Sequence, residues 1–130
     1  MCARTQSAII QNIKDVLEHK TQKTNQKRIR KGETIMVNVG IIGAGRIGQV
    51  HMNSILTRVP NAKIKAVADP FLSEEADKKA KAAGAEYTTK DYKDILADKD
   101  IDAVIICSST DTHSPISIEA IKAGKHVFCE

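Results

Sequence analysis

"VGIIGAGRIG", Val39 to Gly48, decides how the rest of the chain is read. Gly43, Gly45 and Gly48 form a G-x-G-x-x-G string directly after small and branched apolar residues. Alone, such a string is a weak signal, because an ordinary glycine-rich loop looks the same. The flanks carry the information. Val37–Ile42 is a short Val/Ile-rich run, the pattern of a strand buried in a parallel sheet. From Arg46 to about Arg58, Ile47, Val50, Ile55 and Leu56 suit a helix, which Pro60 and Asn61 end. The glycines therefore sit where a strand turns into a helix.

The same alternation continues outward. "KIKAVAD", Lys63–Asp69, reads as a second strand. Ser73 is expected to cap a helix with Glu74 and Glu75 in its first turn, where the helix dipole favours acids. That helix runs to Gly84. "AEYTT" is a short third strand, Asp91–Ala97 a short helix, and "DAVIICS", Asp102–Ser108, a buried fourth strand. Pro115 is expected at the first position of a last helix ending at Gly124, with "KHVFCE" as a fifth strand. Strands alternating with helices imply parallel pairing through right-handed crossovers. The expected fold class is α/β, a Rossmann-type parallel sheet with helices on both faces, incomplete with five strands. In the order 3-2-1-4-5-6 the fifth strand would be left as an open edge, favouring aggregation or pairing with another chain.

Composition bounds the rest. At 130 residues the chain is one domain at most, and 42% hydrophobic content suits a globular core. With no Trp and 3% aromatics, that core must be aliphatic. The apolar runs are too short to span a bilayer, and no signal peptide is evident. Cys2, Cys107 and Cys129 are odd in number and lack metal spacing; Cys107 and Cys129 read as reduced core residues of a cytoplasmic protein. No metal is expected.

The formal charge of +4 is unevenly placed. Residues 1–35 carry eight Lys/Arg against three acids, whereas the other 95 residues carry 12 against 13. The near-neutral body argues against nucleic-acid binding by the fold. Residues 1–35 read as a basic, disordered leader, although Ile9, Ile13, Val16 and Leu17 fall at helical spacing and allow a short amphipathic helix. A nucleic-acid arm, a membrane-surface helix or a transit peptide are the functional alternatives; Asp15 and Glu18 count against the last. "KGETIM" back-translates to a purine-rich GGAGAA just upstream of ATG, as in a bacterial ribosome-binding site. A translated leader with the natural start at Met36 is therefore expected, leaving 36–130 as the folded domain.

The glycine spacing has a physical meaning. Gly43 allows the tight turn, Gly45 lets a pyrophosphate approach the backbone, and Gly48 lets the helix pack close to the strand. The free N–H groups of the helix start, at the positive end of its dipole, suit phosphate, which makes Gly43, Ala44, Gly45, Arg46, Ile47 and Gly48 the candidate cofactor-binding residues of this turn. Arg46 could lean over the pyrophosphate or stay solvated. Asp69 follows Gly48 by 21 positions at the end of the next strand. Its carboxylate can accept from both ribose hydroxyls and would repel a 2′-phosphate. No Arg or Lys adjoins it in "DPF", so NAD is expected over NADP. Asp69 could instead only cap the turn before Pro70. His51 reads as a packed or surface residue more readily than a direct participant. Ser108, Ser109 and Thr110 sit where the fourth strand meets its helix and offer hydroxyls near a nicotinamide ribose, or ordinary capping. His113 could hold that loop, and Glu130 ends a strand at the same edge.

"VGIIGAGRIG", "VADP", "ICSSTDTH" and "AGKHVFCE", in this order, resemble the N-terminal half of Gfo/Idh/MocA oxidoreductases, most of all the inositol 2-dehydrogenases. The resemblance spans Met36–Glu130. It implies an NAD-dependent enzyme passing a hydride between a CH–OH group and nicotinamide, with a polyol or sugar-like substrate and a homo-oligomer at full length. In that family a lysine for proton transfer directly follows the glutamate matched by Glu130, and a second domain carries catalytic Asp and His. The expectation is a dinucleotide-binding fragment with no catalytic residue of its own and no turnover alone. The alternative is a non-enzymatic dinucleotide-binding sensor or regulatory module completed by a partner chain.

Overall fold

A computed structural model describes residues 3–24 and 36–130. Five strands form one parallel sheet: β1 (Val37–Ile42), β2 (Ala62–Ala68), β3 (Tyr87–Thr89), β4 (Ala103–Ile106) and β5 (His126–Cys129), in the order β3-β2-β1-β4-β5. The helices are α1 (Ala3–Thr24), α2 (Arg46–Arg58), α3 (Glu74–Ala82), α4 (Tyr92–Ala97) and α5 (Thr110–Lys122).

The central strands β1, β2 and β4 are largely buried, and alternate residues serve opposite cores. Val37, Val39 and Ile41 of β1 join Ala103 and Ile105 of β4 beneath α2 and α3. Ile42, Val104 and Ile106 join Ile95 of α4 with Ile116 and Ala120 of α5 on the other face. A register shift between Val39 and Gly40 interrupts the β1–β2 pairing. Gly40 sits so close to Ile95 that an added Cβ would lie 2.5 Å from its Cγ2. Ser73 accepts the Ala76 N–H at 3.1 Å and Asp91 the Lys93 N–H at 2.9 Å, capping α3 and α4.

Two expectations need correction. The last helix begins at Thr110, so Pro115 lies inside it rather than at its first position. At the sixth helical position the proline has no N–H to donate to the Asp111 carbonyl, so the helix ladder lacks one bond there. The disordered reading of the leader gives way over Ala3–Thr24 to a helix, the alternative that the spacing of Ile9, Ile13, Val16 and Leu17 allows. Ile9, Ile13 and Val16 are 1–3% exposed and enter the core beneath α2, while Ser7, Ala8, Gln11, Lys14 and Asp15 face outward. The 3.6-residue period puts these apolar side chains on one stripe, and the stripe finds the sheet. Helix α1 contacts α2, β1 and β5. The rest of the leader reading, over residues 25–35, lies outside the described residues.

Ile13→Ala should destabilise the domain by about 2–4 kcal/mol in urea unfolding, as for a core isoleucine. A change below about 0.5 kcal/mol, the surface range, would show that α1 does not hold the sheet.

Candidate functional site

The site is built where β1 turns into α2. Gly43 has φ +104°, a conformation that disfavours any side chain, and a Cβ there would strike the Cys107 backbone at 2.6 Å. A Cβ on Gly48 would lie 2.0 Å from the Gly43 carbonyl oxygen, so the helix starts hard against the strand's end. At Gly45 the opposite holds: nothing lies within 4 Å of an added Cβ. Gly45 caps α2 without a side-chain hydrogen bond, and the intrahelical ladder begins at Gln49 N–H to Gly45 O. The amides of Arg46, Ile47 and Gly48 precede that first bond and have no intrahelical acceptor.

A cleft of about 650 Å³ opens over this turn at the carboxyl edge of the sheet. Gly43 and Gly45 form one wall, Asp69, Pro70 and Phe71 a second, and Ser108, Ser109 and Thr112 a third. Asp69 stands at the end of β2 with both oxygens engaged. Oδ2 accepts the Ala44 N–H at 2.7 Å and Oδ1 accepts the Phe71 N–H at 2.8 Å. It therefore braces the glycine turn and caps its own turn at once. Each carboxylate oxygen has two lone pairs, so acceptor capacity toward a ligand remains.

The β4–α5 loop is ordered by its own hydroxyls. Thr112 Oγ1–H donates to the Ser109 carbonyl at 2.7 Å. Its proton is thereby used, so Ser108 Oγ–H is the donor in the 2.7 Å bond to Thr112 Oγ1. Ser108 is left with acceptor lone pairs at the cleft. His113 Nε2–H donates to the Ser108 carbonyl at 2.7 Å. Ser109 caps α5 without a side-chain bond, so a second open helix N-terminus borders the site.

Of the residues expected from sequence, Gly43, Gly45, Asp69, Ser108 and Ser109 line the cleft together. Ala44 is buried behind it, bonded to Asp69. Exposed Arg46, half-buried Ile47 and buried Gly48 belong to the first turn of α2. Thr110 is exposed at the start of α5, and His113 supports the loop from one turn further on. Glu130 turns its carboxylate to His51 Nε2, 3.0 Å away, and does not line the cleft. Sequence reading missed Phe71, Lys90 and Tyr92, which complete the lining. The 91% exposure of Phe71 beside Asp69 puts an aromatic face at the cleft mouth. Lys90 follows β3 and joins the cleft lining from there. Only the strand order brings β3 beside β2, so local sequence carried no sign of it.

The donors present suit a dinucleotide: an open backbone at Gly45, unpaired amides beyond it and a carboxylate at the next strand's end. Residues 37–130 match the oxidoreductase family Gfo/Idh/MocA, NAD-binding Rossmann fold. This chain belongs to that family. It is 46% identical over 97 residues to the uncharacterized oxidoreductase YrbE of Bacillus subtilis (strain 168), covering 75% of this chain and 28% of that protein. It is 40% identical over 94 residues to the myo-inositol 2-dehydrogenase of Thermotoga maritima, covering 72% and 28%. The crystal structure of scyllo-inositol dehydrogenase from Lactobacillus casei with bound NAD(H) and scyllo-inositol superposes with a TM-score of 0.66 at 36% identity, covering 72% of this chain and 27% of that one. The Gfo/Idh/MocA chain thus spans little more than a quarter of the length of the relatives it matches.

The two described cysteines of this oxidoreductase-family domain differ. Burial pushes the Cys107 thiol up to about 12, helped by the nearby Glu130 carboxylate and Cys129. Cys129, expected in the core, is exposed because β5 is an edge strand.

At pH 8 iodoacetamide should alkylate Cys129 at least about tenfold faster than Cys107, since only the thiolate attacks, burial holds the Cys107 thiol up, and Cys129 is the more exposed. Peptide mapping reads the ratio, and equal rates would contradict the burial. Gly48→Ala should cost about 3 kcal/mol in unfolding because backbone must yield to the new Cβ. Gly45→Ala should stay within about 0.5 kcal/mol of the native chain.

Proposed function

We propose that residues 36–130 form the NAD-binding unit of a dehydrogenase that oxidises a CH–OH group of a polyol of the inositol class. The single observation that carries this reading is Gly45. It opens into empty cleft, at a helix N-terminus that no side chain caps, with the Asp69 carboxylate bonded to the adjacent Ala44. The amides of Arg46, Ile47 and Gly48 would hold the pyrophosphate, aided by the helix dipole. Asp69 would accept from the ribose hydroxyls, and Phe71 and Tyr92 would offer apolar surface to the base. Ser108 and Ser109 would face the second ribose. The cofactor, when bound, supplies a nicotinamide carbon that accepts hydride from the alcohol. The share of this domain is to bind and orient.

The polyol class rests on the relatives, whose printed names include myo-inositol and scyllo-inositol dehydrogenases. We place the protein in the cytoplasm because its cysteines are few, widely spaced and, among the described residues, free. The exposed Ile118 and Ile121 on α5 favour self-association.

Fluorescence titration with NADH and NADPH tests the cofactor reading. The native chain should bind NADH at least about tenfold more tightly than NADPH, because Asp69 repels a 2′-phosphate. Gly45→Ala should remain folded yet lose about tenfold in NADH affinity, and Asp69→Asn should lose a similar factor while narrowing the preference. Native-like NADH binding by Gly45→Ala would sink the proposal.

A further inference from the structure

His51 is fully buried on α2, yet the cofactor reading gives it no task. Its Nε2 lies 3.0 Å from Glu130 Oε2, and the edge of its ring meets Phe128 at 6.3 Å between centroids. Its other nitrogen, Nδ1, is buried with no hydrogen-bond partner. A carboxylate only accepts, so the proton of the shared bond sits on Nε2. Nδ1 is then a bare lone pair, shut away from water. A leucine would fill this interior position without leaving an unsatisfied acceptor. What the imidazole adds over an apolar side chain is its hold on Glu130.

That hold joins two parts of the site. Glu130 follows β5, and its N–H donates to the Ile106 carbonyl at 3.0 Å, fixing its backbone to the end of β4. Helix α2 begins at the phosphate turn and is pressed against β1 through Gly48. Met52, Ile55 and Val59 hold the helix to the core, and the His51–Glu130 bond ties it in addition to the far strand.

We propose that His51 is a positioning residue. Its Nε2–H latches Glu130, and so the carboxyl end of β5, to the helix that carries the phosphate-binding amides. The proposal rests on the NAD-binding reading for its consequence: the latch fixes the angle at which those amides meet the pyrophosphate. Losing it lets α2 and β5 shift relative to each other and weakens cofactor binding without removing any group that touches the cofactor.

The test uses the full chain, with NADH as the probe. Long-range nitrogen–proton spectra of the native protein should show His51 protonated on Nε2 and bare on Nδ1; the reverse tautomer overturns the latch. His51→Leu should weaken NADH binding about tenfold, the scale of one charge-assisted hydrogen bond. His51→Gln, whose amide nitrogen falls near the place of Nε2, should recover to within about threefold of native, still within a fraction of that bond's worth. His51→Asn, whose amide reaches only the Nδ1 position, should not recover. A structural role alone would make the glutamine and asparagine variants equally weak, and that result overturns the proposal, as does native affinity in His51→Leu. Should the leucine variant fail to fold, the glutamine–asparagine pair makes the same comparison. Failure of the native chain to bind NADH would instead defeat the cofactor reading, and the imidazole spectrum would then decide the latch alone.

Discussion

The backbone of Gly48 approaches the carbonyl of Gly43 so closely that no side chain fits between them. Most of the site depends on that contact. It sets the start of α2 directly over the end of β1, so the unpaired amides of the helix point out of the carboxyl edge of the sheet instead of into a longer loop. Gly43 makes the approach possible by taking a backbone conformation that L side chains avoid. The Gly43–Ala44–Gly45 turn carries no polar side chain of its own to hold it. Asp69 supplies that hold by accepting the Ala44 N–H, which ties the turn to β2. One carboxylate thereby serves the fold and faces the cleft, and its two possible roles need not compete.

Much of this was legible in the sequence because it is local. A strand, a glycine turn and an amphipathic helix follow one another within Val37–Arg58, and each has its own period or breaker. The caps at Ser73 and Asp91 are equally local. The strand order followed from the Rossmann-type reading of the glycine turn. The start of α5 was harder to read. Pro115 is a strong first-turn signal, but "SSTDTH" continues the helix backward through residues that cap as readily as they propagate.

What sequence could not show is what folding brings in from elsewhere. Lys90 and Tyr92 reach the cleft because β3 pairs with β2, and Glu130 reaches His51 because β5 pairs with β4. A lone histidine five residues after a charged one is unremarkable on a helix. Its meaning arises only when the far strand supplies a carboxylate 79 positions away. The cleft is thus readable in the residues that make its turns and silent in those that close its walls.

Helix α1 shows the same limit from the other side. Right-handed crossovers place α2 and α3 over β1, β2 and β3, which leaves that face of β4 and β5 to be covered by something else. Ala103, Ile105 and Phe128 lie on it. Ile9, Ile13 and Val16 join them in one core. Fully burying three such side chains is worth about 1.5–3 kcal/mol each before the entropy of ordering the helix is counted. Composition marks residues 1–35 as polar and basic because the charges are many and the apolar residues few. Those few fall on a single stripe, and a stripe of three is enough when an uncovered sheet face lies next to the start of β1. The average property of a segment is a poor guide to its fate when its apolar residues are in phase with a helix and a sheet face awaits them.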